Sequence, residues 1–477
     1  MSSELRDYLM LPYAELEELN LGAKEQRKNR VPMHKLQEER LKYLSGEKRI
    51  KAVTLCFSDL EGRLHMLDYD KKFLLKSADN LTFDGSSIRG FTAQKESDLR
   101  LFVDWSAFYW APGDIFGSGK VLVFGEVIDK DGTPFSADMR GILKKFSNDK
   151  FASDGYTLNA ANEIEGFVFE GLNAEHLYHQ THEFKYVNSG GYYHSLPGDP
   201  LRTFIDTVAE VQRAMGFENE KDHPEVAPSQ FEINYSYGEV TAAADTIQLY
   251  KLICRQVATK LGLTACFLPK PVVGVNGSGM HTNVSVNAKN GKNLFWDPKG
   301  AEKLSDFGWK FIDRILTVGR DTCLIYNASV NAYRRLDPHF EAPNQIKASA
   351  VDRGSMVRVP IGNERSARVE VRSVGPDANP YAVLYSVFKT GLDGTIAGDP
   401  NLRSAERYLP DNIYDALADF NASPWITTMF GADVKQRYAE LKQASADRCP
   451  RLLGTFVKSE EVQYHHEIYN QYLWNLF

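Results

Sequence analysis

Asn162-Glu163-Ile164-Glu165-Gly166-Phe167-Val168-Phe169 sets two carboxylates into a stretch that otherwise has the composition of a buried β-strand. Side chains two apart on a strand share a face, so Glu163 and Glu165 project together and Ile164 points the other way. Adjacent carboxylates repel unless a cation neutralises them, and hard divalent ions such as Mg²⁺ and Mn²⁺ suit oxygen donors. A lone Glu-x-Glu is more often a solvated strand face. The metal reading therefore depends on partners elsewhere in the chain.

Three further segments carry charge where strands are normally apolar, a costly choice unless the charge is paired or metal-bound. His223-Pro224-Glu225 is followed by Gln230-Phe231-Glu232. Glu225 and Glu232 would fall on opposite faces of one continuous strand, so a bend or bulge must lie between them if both serve one site. Asn276-Gly-Ser-Gly-Met-His281-Thr-Asn283-Val-Ser285 begins with glycines that allow close backbone approach to a ligand. His281, Asn283 and Ser285 then alternate on one face. In Ser366-Ala-Arg368-Val-Glu370-Val-Arg372 the two arginines flank a glutamate on one face, with Val369 and Val371 on the other. Arg335, Arg353, Arg358 and Arg365 lie just upstream, and guanidinium groups suit bidentate capture of phosphate and carboxylate. Glutamates and a histidine for metals, with arginines for anions, suit phosphoryl transfer, where positioning and charge neutralisation dominate. The chain has no GxxxxGK[ST] loop, so metals and arginines would hold a nucleotide.

The 477 residues are too many for one ordinary core, and two or three domains are expected. Hydrophobic residues at 43% and charged residues at 25% fit a globular chain, and a net charge of −7 argues against non-specific nucleic-acid binding. Cys56, Cys254, Cys266, Cys323 and Cys449 form no CxxC pair, which fits a reducing compartment. The N-terminus lacks the pattern of a secretory signal, and no apolar run approaches the roughly 20 residues of a membrane span. A cytoplasmic protein without membrane or nucleic-acid partners is expected.

Residues 1–45 read as a helical arm of one or two exposed helices, broken near Gly22 and before Pro32. Residues 46–134 read as a small, mostly β domain that opens with a hairpin, strands at Lys51–Ser58 and Arg63–Asp68 around an Asp59-to-Gly62 turn. Residues 135–477 form the larger domain, with long helices expected over Leu201–Met215 and Thr241–Leu261.

Taken in order, the motifs resemble the glutamine synthetase family, type I. Asp84-Gly-Ser-Ser-Ile-Arg-Gly-Phe91 with Glu96-Ser-Asp98, Asp131-Gly-Thr-Pro-Phe, Lys270-Pro, Asn276-Gly-Ser-Gly-Met-His281, Arg335-Leu with Glu341-Ala-Pro343, and Asp377-Ala-Asn-Pro-Tyr381 carry the resemblance. It implies an α+β fold: a small N-terminal β-grasp-like domain and a large catalytic domain with a curved antiparallel sheet and flanking helices, of the glutamine synthetase/guanido kinase-like kind. It implies ATP-dependent synthesis of glutamine from glutamate and ammonia through γ-glutamyl phosphate, with two or more Mg²⁺ or Mn²⁺ ions per site. By motif, Glu165, Glu225 and Glu232 would hold one metal, and Glu163, His281 and Glu370 the other. Asn276, Gly277, Arg335 and Arg372 would bind glutamate. Glu220, Tyr237, Ser285, Arg353, Arg358, Arg365 and Arg368 would surround ATP, with Arg353 also stabilising the transferred phosphoryl group. Asp59, Tyr192, Glu225 and Glu341 would bind ammonium and help deprotonate it. Asp59 would serve the neighbouring subunit's site within a ring assembly, a dodecamer in the family, and the aromatic tail Tyr464–Phe477 looks like the segment that ties rings together.

The chain departs from the family pattern in places. Asn283 stands where many members have a second histidine, and Pro338-His339-Phe340 precedes Glu341 where Gly-Tyr is usual. Trp105 to Trp110 reads as an unusual aromatic insert. These changes keep open a related ligase that joins glutamate to an organic amine or polyamine. A non-catalytic scaffold of the same fold would have lost metal ligands, and all six are present.

Overall fold

The computed structural model describes residues 3–92, 97–181, 183–194, 197–340, 342–399 and 401–453. Two sheets organise it. The first contains β1 (Ala52–Ser58), β2 (Leu64–Asp70), β3 (Leu81–Asp84), β4 (Asp98–Trp110) and β5 (Lys120–Ile128) in the order β2-β1-β5-β4-β3. The β1–β2 hairpin forms as the alternation predicts, and β1 pairs in parallel with β5 at the centre of the sheet. The hairpin turn needs Gly62: its φ is +92°, and a Cβ there would lie 2.6 Å from the Cα of Asn379. Asn379 donates to the carbonyls of Asp59 and Leu60, and Gln248 to the Gly62 carbonyl, so the catalytic domain clamps this turn.

The second sheet has nine strands: β6 (Thr157–Glu170), β7 (Asn219–Pro224), β8 (Gln230–Tyr235), β9 (Gly238–Glu239), β10 (Leu263–Cys266), β11 (Met280–Asn287), β12 (Gln345–Ser349), β13 (Ser355–Arg358) and β14 (Val369–Val371). The main order is β12-β13-β14-β11-β6-β8-β7, with β9 and β10 also paired to β6. Every pairing is antiparallel except β12 with β13. Ile164 and Val168 of β6 are fully buried in the main core with helices Pro200–Ala214 and Val240–Lys260. Both helices lie where the spacing of Phe204, Val208 and Val211, and of Ile247, Ile253 and Val257, places them. Their starts are capped: the Asp199 carboxylate accepts the Leu201 N–H, and Glu239 accepts from Thr241 and Ala242.

The arm differs from expectation. It has three helices, Ser3–Tyr8, Tyr13–Lys28 and Met33–Gly46, and no break at Gly22. Gly22 is exposed, and a Cβ there would meet no other side chain or element within 4 Å, while Leu16, Asn20 and Ala23 on the same helix are buried. Docking of that face outweighs the modest cost of one mid-helix glycine, about 1 kcal/mol. Trp105 to Trp110 forms the second half of β4, with Trp105, Phe108 and Trp110 buried beneath the arm.

Candidate active site

The register of the second sheet assembles the site. Glu163 and Glu165 sit side by side on β6. Across one edge, His281 of β11 stands directly opposite Glu163. Across the other, Glu232 of β8 stands directly opposite Glu165. One strand further out, Glu370 of β14 pairs with Asn283 of β11, and Arg358 of β13 with Glu370. Side chains directly opposite in an antiparallel pair lie about 5 Å apart. Carboxylates from distant parts of the chain are thereby forced together.

The problem of Glu225 and Glu232 has a simple solution. β7 and β8 are the two arms of a hairpin, His223 faces Glu232 in register, and the N–H of Glu225 donates to the Gln230 carbonyl at 2.8 Å. The chain turns back between the two glutamates, so no bulge on one strand is needed to bring them together.

Two clusters of potential metal ligands result among the described residues. Glu163, His281 and Glu370 each offer an atom within 4.8 Å of the others, and so do His223, Glu225 and Glu232. In the first, His281 Nδ1 lies 3.8 Å from both Glu163 and Glu370. Burial would raise Glu163, but His281 and Asn283 bring it down to about 2. Glu370 is almost fully buried, held by Arg358 at 2.9 Å and Arg372 at 2.6 Å. In the second, burial and the neighbouring Glu165 and Glu232 push Glu225 up to about 9. Burial and then Glu232 raise Glu165 as well, although Gly279 donates its N–H to that carboxylate at 2.7 Å. A cluster that strains its own carboxylates toward the protonated form is suited to a divalent cation, and the oxygen and imidazole donors fit Mg²⁺ or Mn²⁺.

The anion-binding side is built from buried arginines. Burial lowers Arg335 to about 10, and one of its nitrogens donates to the Arg372 carbonyl at 2.9 Å. Two glycines make room for it. A Cβ at Gly277 would lie 3.1 Å from Arg335 Cγ, and one at Gly279 would lie 2.5 Å from an Arg335 nitrogen. Arg335 Nη1 and Arg372 Nε are buried without a hydrogen-bond partner among the described residues, two donors suited to an anion. Arg368 donates to Asn283 at 2.9 Å, and Asn283 donates in turn to Glu163 at 3.1 Å. Asn283 thus links an arginine to a carboxylate of the first cluster. Asn276 is half-buried in the loop before β11, Ser285 is half-buried on β11, and Glu220, Tyr237, Arg353 and Arg365 are exposed around the sheet.

Some expected members stand apart. Glu341 lies outside the described residues. Asp59 is 3% exposed, and its own turn occupies it. Oδ1 accepts the N–H groups of Glu61 and Arg63, and Oδ2 meets His65 at 3.0 Å. No hydrogen bond or ion pair among the described residues joins Asp59 to the glutamate clusters. Tyr192 is 45% exposed and does lie beside the second cluster, its ring 5.5 Å from His223 and edge-on to it.

Sequence reasoning quoted His223 and Phe340 without giving either a role, and did not single out Tyr193. Tyr193 stacks on Tyr192 at 3.8 Å and bonds its hydroxyl at 2.7 Å. Phe340 covers the Lys270 ammonium at 3.8 Å, and burial lowers that lysine to about 8. Only the position of His223, two residues before Glu225, offered a signal.

Comparison with known proteins decides the family. The model of the glutamine synthetase catalytic domain matches residues 136–453, and that of the glutamine synthetase beta-Grasp domain matches residues 49–130. The chain belongs to the glutamine synthetase family. It is 38% identical over 373 residues to glutamine synthetase of Staphylococcus epidermidis, covering 76% of this chain and 80% of that one. It is 34% identical over 436 residues to glutamine synthetase of Clostridium saccharobutylicum, covering 87% and 96%. The solved glutamine synthetase of Plasmodium falciparum superposes with a TM-score of 0.77 at 20% identity, over 89% of this chain and 98% of that one. The structure of GmaS without ligand gives 0.74 at 23% identity, over 88% and 97%. These two likenesses support the α+β glutamine synthetase fold, with its β-grasp domain and curved catalytic sheet.

Proposed function

We infer that this chain is a glutamate–ammonia ligase that uses ATP and divalent metal to form glutamine through γ-glutamyl phosphate. The carrying observation is the pair of like charges that the strand register sets face to face, Glu165 opposite Glu232, next to the Glu163–His281 pair. Such a row is stable only with cations between it and an anionic ligand.

Metal held by Glu163, His281 and Glu370, and by Glu165, Glu225 and Glu232, supplies charge neutralisation where carboxylate meets triphosphate. Arg335 and Arg372, with Asn276 and Gly277, hold glutamate through its charged ends. Arg358 and Arg353 take the charge that develops on the transferred phosphoryl group, while Glu220, Tyr237, Ser285, Arg365 and Arg368 line the nucleotide. Glu370 accepts from both Arg358 and Arg372, which ties the phosphate-side and carboxylate-side arginines to one carboxylate. Glu225, beside Tyr192, takes the proton from ammonium. Asp59 and Glu341 complete that pocket, Asp59 from a neighbouring subunit of a ring assembly. Mg²⁺ and Mn²⁺ are both suited, the chain acts in the cytoplasm, and no helix among the described residues is long and apolar enough to cross a membrane.

The test is ATP- and ammonium-dependent glutamine formation, with Glu163→Gln as the control. Turnover no higher than in that control overturns the reading. A panel of alkylamines at matched concentration checks the nucleophile: kcat/KM highest for ammonium supports glutamine synthesis, and a clear preference for an alkylamine reassigns the amine.

A further inference from the structure

The amide nitrogen of glutamine keeps two of the four hydrogens of ammonium, so two protons leave the nitrogen in each turnover. Glu225 accounts for one of them. The turn that carries Asp59 holds a group for the other. His65 stands opposite Phe57 in the β1–β2 hairpin, and its Nε2 lies 3.0 Å from Asp59 Oδ2. An ionised carboxylate can only accept, so Nε2 carries the hydrogen, and Nδ1 of the neutral ring keeps a lone pair. No hydrogen bond or ion pair among the described residues engages Nδ1, and the His65 side chain is 24% exposed.

The ring is held in place. It stacks on Phe57 with centroids 5.2 Å apart and planes 20° from parallel, and Phe57 is buried against Phe83 and Phe91. Asp59 is fixed in turn, because its Oδ1 accepts the N–H groups of Glu61 and Arg63. Glu61, the other carboxylate of the turn, is taken by Lys442 and Arg89. An imidazole with one nitrogen on a carboxylate and the other free is the arrangement of a general base. Both oxygens of Asp59 are engaged, and an imidazole is ordinarily a stronger base than a carboxylate, at about 6.5 against about 3.9.

We propose that His65, oriented by Asp59, accepts the second proton in the neighbouring subunit's amine pocket. The proposal rests on the reading above, in which Asp59 serves that pocket. Departure of the first proton to Glu225 leaves ammonia an electron pair, with which it attacks the γ-carbonyl carbon of γ-glutamyl phosphate. The nitrogen of the adduct then carries a positive charge. His65 Nδ1 takes a proton from it, and the electron pair of that N–H bond stays on nitrogen. The bond from carbon to the phosphate oxygen breaks, and phosphate leaves with its electron pair. Asp59 offsets the charge of the imidazolium, and partial exposure lets the ring return its proton to water between turnovers.

The experiment compares two nucleophiles on the full chain with glutamate and ATP. Ammonium must lose two protons. Hydroxylamine, uncharged at neutral pH, loses only one in forming the γ-glutamyl hydroxamate, and Glu225 suffices for that. His65→Gln keeps an N–H for Asp59 but supplies no base. It should lose at least about 100-fold in kcat with ammonium, the low end of what a general base contributes, and far less with hydroxylamine. Hydroxamate formation also shows that the variant folds and assembles. If His65→Gln loses both nucleophiles alike, the residue only holds Asp59 in place and the proposal fails. If it turns over ammonium normally while Asp59→Asn does not, the shared pocket stands and the proposal fails. If both variants turn over ammonium normally, Asp59 lies outside the pocket and that reading fails with the proposal.

Discussion

Glu225 shows how much of the site's behaviour belongs to single residues. Its carboxyl is pushed up to about 9 by burial and by Glu165 and Glu232, whereas in an unfolded chain it titrates near ~4.3. The folded chain therefore retains a proton that the unfolded chain has released. This stabilisation is complete below the unfolded value and is lost as pH rises through about 9. With the metal proposed at this cluster, a divalent cation would replace the proton, so metal uptake near neutrality would release protons and the metal's stabilisation would grow with pH. Thermal unfolding with and without Mn²⁺ should show a Tm gap that widens from about pH 6 to about pH 9. A gap independent of pH contradicts this account. Gly279 tests a different property, space. A Cβ there would lie 2.5 Å from Arg335 Nη2 and 2.8 Å from His281 Nε2. Gly279→Ala should fold but lose about 100-fold in kcat/KM, the penalty expected for groups displaced by about 1 Å. Near-normal kinetics would mean that Arg335 yields without consequence.

At the scale of elements, one arm side chain reaches two other elements at once. Asn20 donates to the carbonyls of Leu16, Trp110 and Ala214, and accepts the Trp110 N–H at 3.0 Å. It joins helix Tyr13–Lys28 to β4 and to helix Pro200–Ala214. Asn20→Ala leaves buried backbone groups unpaired, a cost of about 1–3 kcal/mol. Denaturant unfolding should show this loss, with hydrogen exchange accelerated first over residues 13–46; an unchanged arm would assign the anchorage to Leu16 and Leu36. No reading of residues 1–45 alone could find this contact, because its partners lie far along the chain. The same distinction holds for the site. Glu163 beside Glu165, and Arg368-Val-Glu370-Val-Arg372, were legible because a period of two sorts side chains by face. The two long helices were legible through their apolar spacing. His223 was not, because its meaning comes from a cross-strand partner, and neither was the role of Asn283 between Arg368 and Glu163. Gly22 misled because local propensity was weighed without the face that docks.

In the molecule as a whole, buried charge joins the two domains. Arg140 is 1% exposed and bonds Asp104 of β4 at 2.9 Å and Asp245 of helix Val240–Lys260 at 2.7 Å. Arg140→Met leaves Asp104 with Lys144 at 2.8 Å and Asp245 with the Tyr381 hydroxyl at 2.7 Å but removes their shared guanidinium, and should cost up to about 3–5 kcal/mol, which denaturant unfolding measures. A loss much smaller than that would show water reaching the junction. Glu61 repeats the device two residues beyond Asp59, held by Lys442 at 3.0 Å and Arg89 at 3.3 Å, so the Asp59 turn is rigidly mounted on its own chain. A rigid turn can serve a neighbour's site only through assembly, and mixed oligomers test that directly. Asp59→Asn keeps an oxygen to accept the Glu61 and Arg63 N–H groups but removes the charge, while Glu163→Gln disables the metal side. Each variant alone should be nearly inactive. If Asp59 acts across a subunit boundary, randomly mixed rings of the two contain complete sites at about a quarter of positions, where an intact metal side meets a neighbour's intact Asp59. If Asp59 acts only within its own chain, every site carries one lesion and mixing restores nothing. Recovered glutamine synthesis in assemblies re-formed from the two variants therefore establishes the shared site, and a flat response across all mixing ratios removes Asp59 from it.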